Sequence, residues 1–293
     1  MQQEQSHTGI ALVIVLYNPK DDDLNHVLHL TTLYQGCIVD NSDNRHFDTD
    51  EINCMHYISL GKNCGIAEAQ NTALRYLLDK PDIQYLVFTD QDSRYADDYP
   101  HSIVHEYQLV RSFQPMLSAL GPTIIHKETG KEYKSVFHKD HISHDHLIVR
   151  PHIISSGCCI HRQVIEEVGL FESGLFIDFV DDEWCWRAAS RGYICGISPF
   201  IQIAHKIGQK DIHIGKYIIT VSAPFRYYYQ YRNYLLLARR KYVPWRWKVS
   251  YAVKYTARFL YFPFVVDNGC SCWKYMLKGI KAALFHSYKR DTP

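Results

Sequence analysis

Tyr85-Leu-Val-Phe-Thr89 followed by Asp90-Gln91-Asp92 decides the fold. A short run of apolar, aromatic and β-branched residues carries straight into two carboxylates one residue apart. Such a run reads as a strand covered on both faces, as in a parallel sheet. Working outward, Ile10-Ala-Leu-Val-Ile-Val-Leu-Tyr17 is a second run of this kind, and Asn18-Pro19 ends it. Asp21-Asp22-Asp23 then opens a helix, with acids where its dipole favours them. Cys37-Ile-Val-Asp40 is a further short strand ahead of the turn-rich Asn41-Ser-Asp-Asn44, and another strand lies near 56–59. Residues 65–78 read as a helix. Strands alternating with helices over the first hundred residues imply an α/β, Rossmann-like half with a mainly parallel sheet. In such sheets ligands bind beyond the carboxyl ends of the strands. Tyr17 and Asn18, Asp40, and Asp90 with Asp92 all fall at those ends, and this convergence sets the fold class.

Beyond that half, 118–125 and 153–160 are expected as strands, separated by a polar, His-rich connection. A helix is expected to follow Asp181 and end near Gly192, and Phe200-Ile-Gln-Ile-Ala204 reads as strand-like. After about residue 222 the chain is helical, aromatic and basic, with almost no acid until Asp267. The expected organisation is a catalytic domain over 1–222, with a nucleotide half to about residue 115 and an acceptor half over 116–222. A C-terminal helical region over 223–293 completes it.

With 293 residues the chain can bury a full core. Its net charge of +1 excludes a globally basic nucleic-acid binder. Nine cysteines, none in a Cys-x-x-Cys pair, suit neither a zinc site nor a disulfide framework. Residues 1–8 carry no secretory pattern, and no apolar run approaches the roughly 18–20 residues that span a bilayer. The expectation is a cytoplasmic protein.

Two clusters carry chemistry. The Asp90/Asp92 pair offers oxygen ligands suited to Mg²⁺ or Mn²⁺, which would neutralise a diphosphate and act on it as a Lewis acid. The same spacing also caps helices. Asp178, Asp181, Asp182 and Glu183 form the second cluster, beside Trp184. A helix N-terminus made acidic for its dipole accounts for some of these acids, but less readily for four within six residues. A carboxylate there could take a proton from an attacking hydroxyl.

Val13-Ile-Val-Leu-Tyr17-Asn18-Pro19, Val39-Asp40-Asn41-Ser42, Asn63-Cys-Gly65-Ile-Ala67-Glu-Ala69-Gln-Asn71 and Thr89-Asp-Gln-Asp-Ser93 occur in that order. Ser156-Gly157, Leu175-Phe-Ile-Asp178-Phe-Val-Asp181-Asp-Glu183-Trp184 and Arg187 follow. The set, over roughly residues 10 to 240, resembles the GT-A-fold, family 2 inverting glycosyltransferases, and within them the bacterial rhamnosyltransferase branch. The resemblance implies that Tyr17 and Asn18 line the base and ribose pocket. Asp40 would accept the imide N–H of uracil or thymine, with Asn63, Gly65 and Asn71 beside the nucleotide. It places Asp90 towards ribose and metal, Asp92 and His205 as metal ligands, and Asp181 as the base. Asp182 is the near competitor for that role and Asp178 the more distant one; Glu183 and Trp184 would face the acceptor. Gln70 stands where the family often has Arg.

The implied activity is transfer of L-rhamnose from dTDP-L-rhamnose to a bacterial surface polysaccharide or lipid-linked glycan, with a UDP-hexose donor as the alternative. A non-catalytic glycan-binding or scaffold protein is the alternative of another class, and it would need neither Asp92 nor the Asp181 cluster. A nucleotidyltransferase would want a Gly-rich triphosphate loop that Leu16-Tyr17-Asn18-Pro19 does not supply. His138, His141, His144 and His146 read as a polar loop. Arg232-Asn233 reads either as a phosphate contact or as part of an aromatic helix on the core. Trp245, Trp247, Tyr261, Phe262 and Phe264, interleaved with Lys and Arg, suggest contact with an anionic membrane face; a homodimer surface is the rival.

Overall fold

The strand β1 (Ile10–Leu16) is covered on both faces, and its side chains divide by the two-residue period of a strand. Ala11 and Val13 enter one core cluster, while Leu12, Ile14 and Leu16 enter another on the opposite side of the sheet. The computed structural model describes residues 9–48, 50–126, 141–144, 146–205, 211–214 and 217–285. After β1 come α1 (Asp21–Leu33), β2 (Gly36–Asp40), β3 (Glu51–Ile52), β4 (Met55–Ser59), α2 (Ile66–Leu78) and β5 (Tyr85–Asp90). Then follow α3 (Tyr99–Phe113), β6 (Leu117–His126), β7 (His141–His144), β8 (Leu147–Arg150), β9 (Cys159–His161) and α4 (Arg162–Val168). A 3-10 turn at Ser173–Leu175 leads to α5 (Val180–Ala189) and β10 (Ile194–His205). The chain continues through β11 (Asp211–Ile214) and β12 (Tyr217–Thr220) to α6 (Arg226–Ala238), α7 (Trp245–Val265) and α8 (Gly269–Phe285).

Ten strands form one sheet in the order β3-β4-β2-β1-β5-β9-β6-β10-β8-β7, and β11 pairs with β12 as a separate ribbon. The run β4-β2-β1-β5 is wholly parallel, and parallel pairing returns between β6 and β10. Helices α1 and α3 cover one face through Val27, Leu30, Ile103 and Tyr107. On the other, α2, α4 and α5 pack Leu74, Val164 and Trp184 against the strands. Register fixes the site: Leu16 lies beside Asp40 and Val15 beside Asp90, so the three strand ends open at one level.

The structure departs from the sequence expectations in several places. Of 153–160 only Cys159 and Ile160 are strand, at the start of β9, because the preceding segment turns back. There the Gly157 N–H donates to Phe88 O and the Phe88 N–H to Cys158 O. The helix α3 separates Asp92 from β6. His141 and His144 lie on β7 rather than in a loop, His138 falls outside the described residues, and His146 Nδ1 pairs with Glu106 at 2.9 Å. Beyond residue 222, Tyr227, Phe262 and Met276 belong to a core cluster of the C-terminal helices, yet these helices also enter the core beneath the sheet. Leu237, Val243 and Trp247 belong to the same cluster as α2 and α5.

The junction is polar as well. Buried Arg240 forms a bidentate pair with Glu172 and approaches Glu183, which also holds Arg187 at 3.0 Å and accepts from Tyr242 Oη at 2.6 Å. Breaking a buried ion pair from one side leaves an uncompensated charge. Arg240→Leu is therefore expected to cost about 3–5 kcal/mol, read from denaturant unfolding curves. An unchanged midpoint would show that the C-terminal helices contribute little to the core.

Candidate active site

At the end of β1, Tyr17 is exposed and the backbone turns through Asn18 at φ 46°. The Asn18 N–H donates to Ser42 Oγ at 2.8 Å, tying the β1 end to the loop after β2. Gln91 ties it to β5: its Oε1 accepts the Tyr17 N–H at 2.7 Å and its Nε2 donates to Tyr17 O at 3.3 Å. The middle residue of the Asp-Gln-Asp triplet thus locks the loop against the neighbouring strand. Arg94 holds it from behind, donating to Gln91 O at 3.0 Å and pairing with Asp23 of α1 at 3.0 Å. Asp90 is half-buried and Asp92 exposed at the rim. Neither role was legible: Gln91 sat inside the motif unread, and nothing in the sequence links Arg94 to α1.

The structure gives several expected nucleotide residues other work. Asp40 is fully buried, and its carboxylate accepts from Tyr57 Oη at 2.7 Å, His46 Nδ1 at 2.7 Å and the Ser42 N–H at 3.1 Å. Burial would raise its carboxyl, but those hydrogen bonds prevail and hold it below the usual carboxylate range. In this structure its carboxylate is met by protein donors and shielded from solvent. Asn71 is also buried; it donates to Phe171 O at 2.7 Å and accepts the Phe171 N–H at 2.9 Å. It clamps a protein segment, not a ligand. Gly65, at φ +87°, lets Phe176 approach: an added Cβ would stand 2.6 Å from Phe176 O, to which the Ile66 N–H donates. Asn63 accepts from Asn41 Nδ2 and from the Gly65 N–H, both at 3.0 Å, and shapes the entry to α2.

The acidic cluster divides in the same way. Asp178 is held by Arg226 at 2.6 Å, which ties it to α6. Glu183 and Trp184 are each 1% exposed, with Glu183 in the ion-pair knot and Trp184 Nε1 donating to Gly169 O at 2.9 Å. They belong to the core and not to the acceptor side. Asp182 approaches His152 Nε2 at 3.4 Å.

Asp181 differs from all of these. Its Oδ2 accepts the Ser155 N–H at 3.2 Å, and Gln70 Nε2 donates to Ser155 Oγ at 3.1 Å. The next residue, Ser156, meets Ser93 of the Asp-Gln-Asp-Ser loop at 3.2 Å between hydroxyl oxygens. The 155–157 turn therefore links Asp181 to the end of β5. The residue as a whole is half-buried, while its carboxyl is surrounded by protein. Burial pushes its carboxyl up to about 7 against the pull of the Ser155 N–H, with the charges of Asp182 and Asp90 adding to the rise. Asp90 and Asp181, 91 positions apart by number, thus feel one another across a single site.

His205 ends β10 in register with His126; its side chain lies outside the described residues. Among the described residues no three His, Cys, Asp or Glu side chains form a cluster able to hold a metal ion. Arg232 and Asn233 resolve to the core reading. Arg232 donates to Gly174 O, and Asn233 Nδ2 lies 2.9 Å from both Leu175 O and Ile177 O.

No protein-family model matches the sequence. A dTDP-rhamnosyl transferase of Shigella flexneri, RfbF, is 34% identical over 252 residues, covering 81% of this chain and 82% of its own. The chain belongs to the bacterial rhamnosyltransferase-like glycosyltransferases. The low-salt glycan biosynthesis hexosyltransferase Agl10 of Haloferax volcanii is 22% identical over 69% of each chain. Two solved structures share the glycosyltransferase's fold. Staphylococcus aureus TarS 1–349 with UDP-GlcNAc matches at TM-score 0.52 and 11% identity, covering 94% of this chain and 81% of that one. GalNAc-T7 with UDP, GalNAc and Mn²⁺ matches at 0.53 and 14% identity, covering 69% of this chain but 44% of that one. The architecture is GT-A.

A carboxyl raised by burial destabilises the fold once it ionises. The cost is absent below its unfolded value near 3.8 and complete above about 7. Asp181→Asn is therefore expected to stabilise the metal-free protein at pH 8 by on the order of 2 kcal/mol, and by much less at pH 5. Thermal melts at the two pH values measure this; an equal effect at both would place Asp181 in ordinary solvent.

Proposed function

We propose that this glycosyltransferase moves L-rhamnose from dTDP-L-rhamnose to a hydroxyl of a bacterial surface polysaccharide or lipid-linked glycan, with inversion at the anomeric carbon. The observation that carries the reading is Asp181, a carboxyl raised to about 7 in electrostatic reach of Asp90. The acceptor oxygen forms a bond to the anomeric carbon as the bond to the diphosphate breaks. The acceptor proton passes to Asp181, and dTDP leaves. A base poised near the working pH is suited to this transfer. The 34% identity to a dTDP-rhamnosyl transferase supports the sugar and base.

Asp92 and Asp90 would hold Mg²⁺ or Mn²⁺, whose chemistry here is to neutralise the diphosphate and ease its departure. The fit is chemical: two oxygen donors flank Gln91, whose anchorage to Tyr17 fixes the loop that bears them. Tyr17 offers an exposed ring to the base, and Asn18 and Asn63 border the ribose. Asp40 organises this wall through His46 and Ser42. His205 is retained as a further metal ligand from the resemblance alone. A UDP-hexose donor is the second reading, supported by the hexosyltransferase relative.

The test is a panel of dTDP- and UDP-sugars with and without Mn²⁺, read by thermal shift and by product. Stabilisation by dTDP-L-rhamnose alone is expected; a shift only with UDP-sugars would replace the donor. Asp92→Asn is expected to abolish metal-dependent turnover while remaining folded, and full activity there would remove the cation from the scheme. Asp181→Asn should bind donor normally and lose about 10²–10⁴-fold in transfer. In the wild type, the rate should rise with pH as Asp181 loses its proton, at a pH below about 7 because a cation on Asp90 favours the ionised carboxylate. A normal rate for Asp181→Asn would move the base to Asp182.

A further inference from the structure

The helix α7 is apolar on two opposite sides. Inward, Trp247, Tyr255 and Phe262 are buried, with Trp247 packed against Trp186 and Phe179. Of the aromatic residues that the sequence suggests for an interfacial surface, Trp247 and Phe262 are thus part of the core. Outward stands a different set: Trp245, Val249, Val253, Leu260 and Phe264, at 68, 54, 67, 65 and 87% exposure. They recur at intervals of four or seven residues, which places them on one face of a helix. Single exposed apolar residues are ordinary, but a continuous stripe on a helix whose other side already fills the core marks an interaction surface.

The exposed charges of α7 and α8 say what these helices meet. Arg246 and Lys254 are exposed on α7, and Lys274, Lys278 and Lys281 on α8. Asp267 is the one acid between residues 245 and 285. A second copy would bring the same cations against these. An anionic lipid surface complements both features, taking the apolar stripe at its acyl boundary and the lysines among its head groups. No helix of the described residues is long and apolar enough to cross a membrane, so the contact is with the surface.

We infer that α7 and α8 dock this protein on an anionic lipid bilayer through the Trp245–Val249–Val253–Leu260–Phe264 stripe and its surrounding lysines. The docked face is rigidly joined to the site. Helix α8 packs so closely on α6 that a Cβ at Gly279 would stand 2.3 Å from Tyr228 O. In turn α6 grips the segment before Asp181 through Asn233 and through Arg226 bound to Asp178. Docking would therefore hold the catalytic cleft in one orientation above the lipid head groups.

The full chain is tested by flotation with vesicles of phosphatidylcholine alone and of phosphatidylcholine with phosphatidylglycerol. Binding only to the anionic vesicles is expected. Leu260→Ser with Phe264→Ser, and separately Lys274→Glu with Lys278→Glu and Lys281→Glu, should each reduce it by about tenfold or more with unchanged melting temperature. Phe264→Glu alone, at the most exposed position of the stripe, serves if the double variant unfolds. Failure of the wild type to float, or undiminished flotation of the stripe variants, overturns the inference. So does a lipid-free dimer that the same variants dissociate, since the stripe is then a seam between copies.

Discussion

Between Phe171 and Asp181 the main chain runs half-buried without joining a sheet, and the carbonyls and N–H groups that its short 3-10 turn leaves over need side-chain partners. Two asparagines and an arginine meet them. Asn71, from α2, takes both polar groups of Phe171. Asn233, from α6, donates towards Leu175, Ile177 and Asp178, and Arg232 towards Gly174 and Leu175. Three residues of this stretch, Phe176, Asp178 and Phe179, hold positive φ, each at a cost of order 1–3 kcal/mol. Such backbone persists where the surroundings over-determine it, and here they do so from two helices at once. What the strain secures is the position of α5, whose first turn delivers Asp181.

That position sets the chemistry through a balance of opposing effects. A carboxylate wants water, and Asp181 has little; it also shares the cleft with Asp182 and Asp90. Only the Ser155 backbone and hydroxyl offset this, and Ser155 is steadied by Gln70. Three other acids of the neighbourhood are neutralised at close range: Asp178 by Arg226, Glu183 by Arg187, Glu172 by Arg240. The contrast separates a base from its neighbours more sharply than position along the helix does.

How much of this the sequence disclosed depended on distance along the chain. Unbroken apolar runs at 10–17 and 85–89 told of a two-sided sheet, because burial on both faces removes the polar alternation. The carboxylates at their ends followed from the runs. Asp40 and Asn71 suit a nucleotide by type and place, yet Tyr57, His46 and Phe171, which they bond here, stand where no local pattern points. Glu183 and Trp184 follow Asp181 closely on α5 but lie on the side that faces the core. Arg226 and Arg240 gave no signal, since each ion pair spans 48 or more residues. The C-terminal aromatics were legible as a group, but only the helix axis sorted Trp245 and Phe264 from Trp247 and Phe262.

The borrowed hydrogen bonds of the 171–181 segment bear on how such chains exchange parts. A recombination joint near residue 222 looks natural, since it falls between sheet and helices. It would nonetheless pair one parent's catalytic loop with another's asparagine and arginines, and leave carbonyls stranded in the interior. A change at Arg226 would leave Asp178 without its partner, one at Arg240 would do the same to Glu172, and one at Asn233 would leave carbonyls of the segment unmet. An exchange near residue 222 keeps these hydrogen bonds only where both sides of the joint travel together.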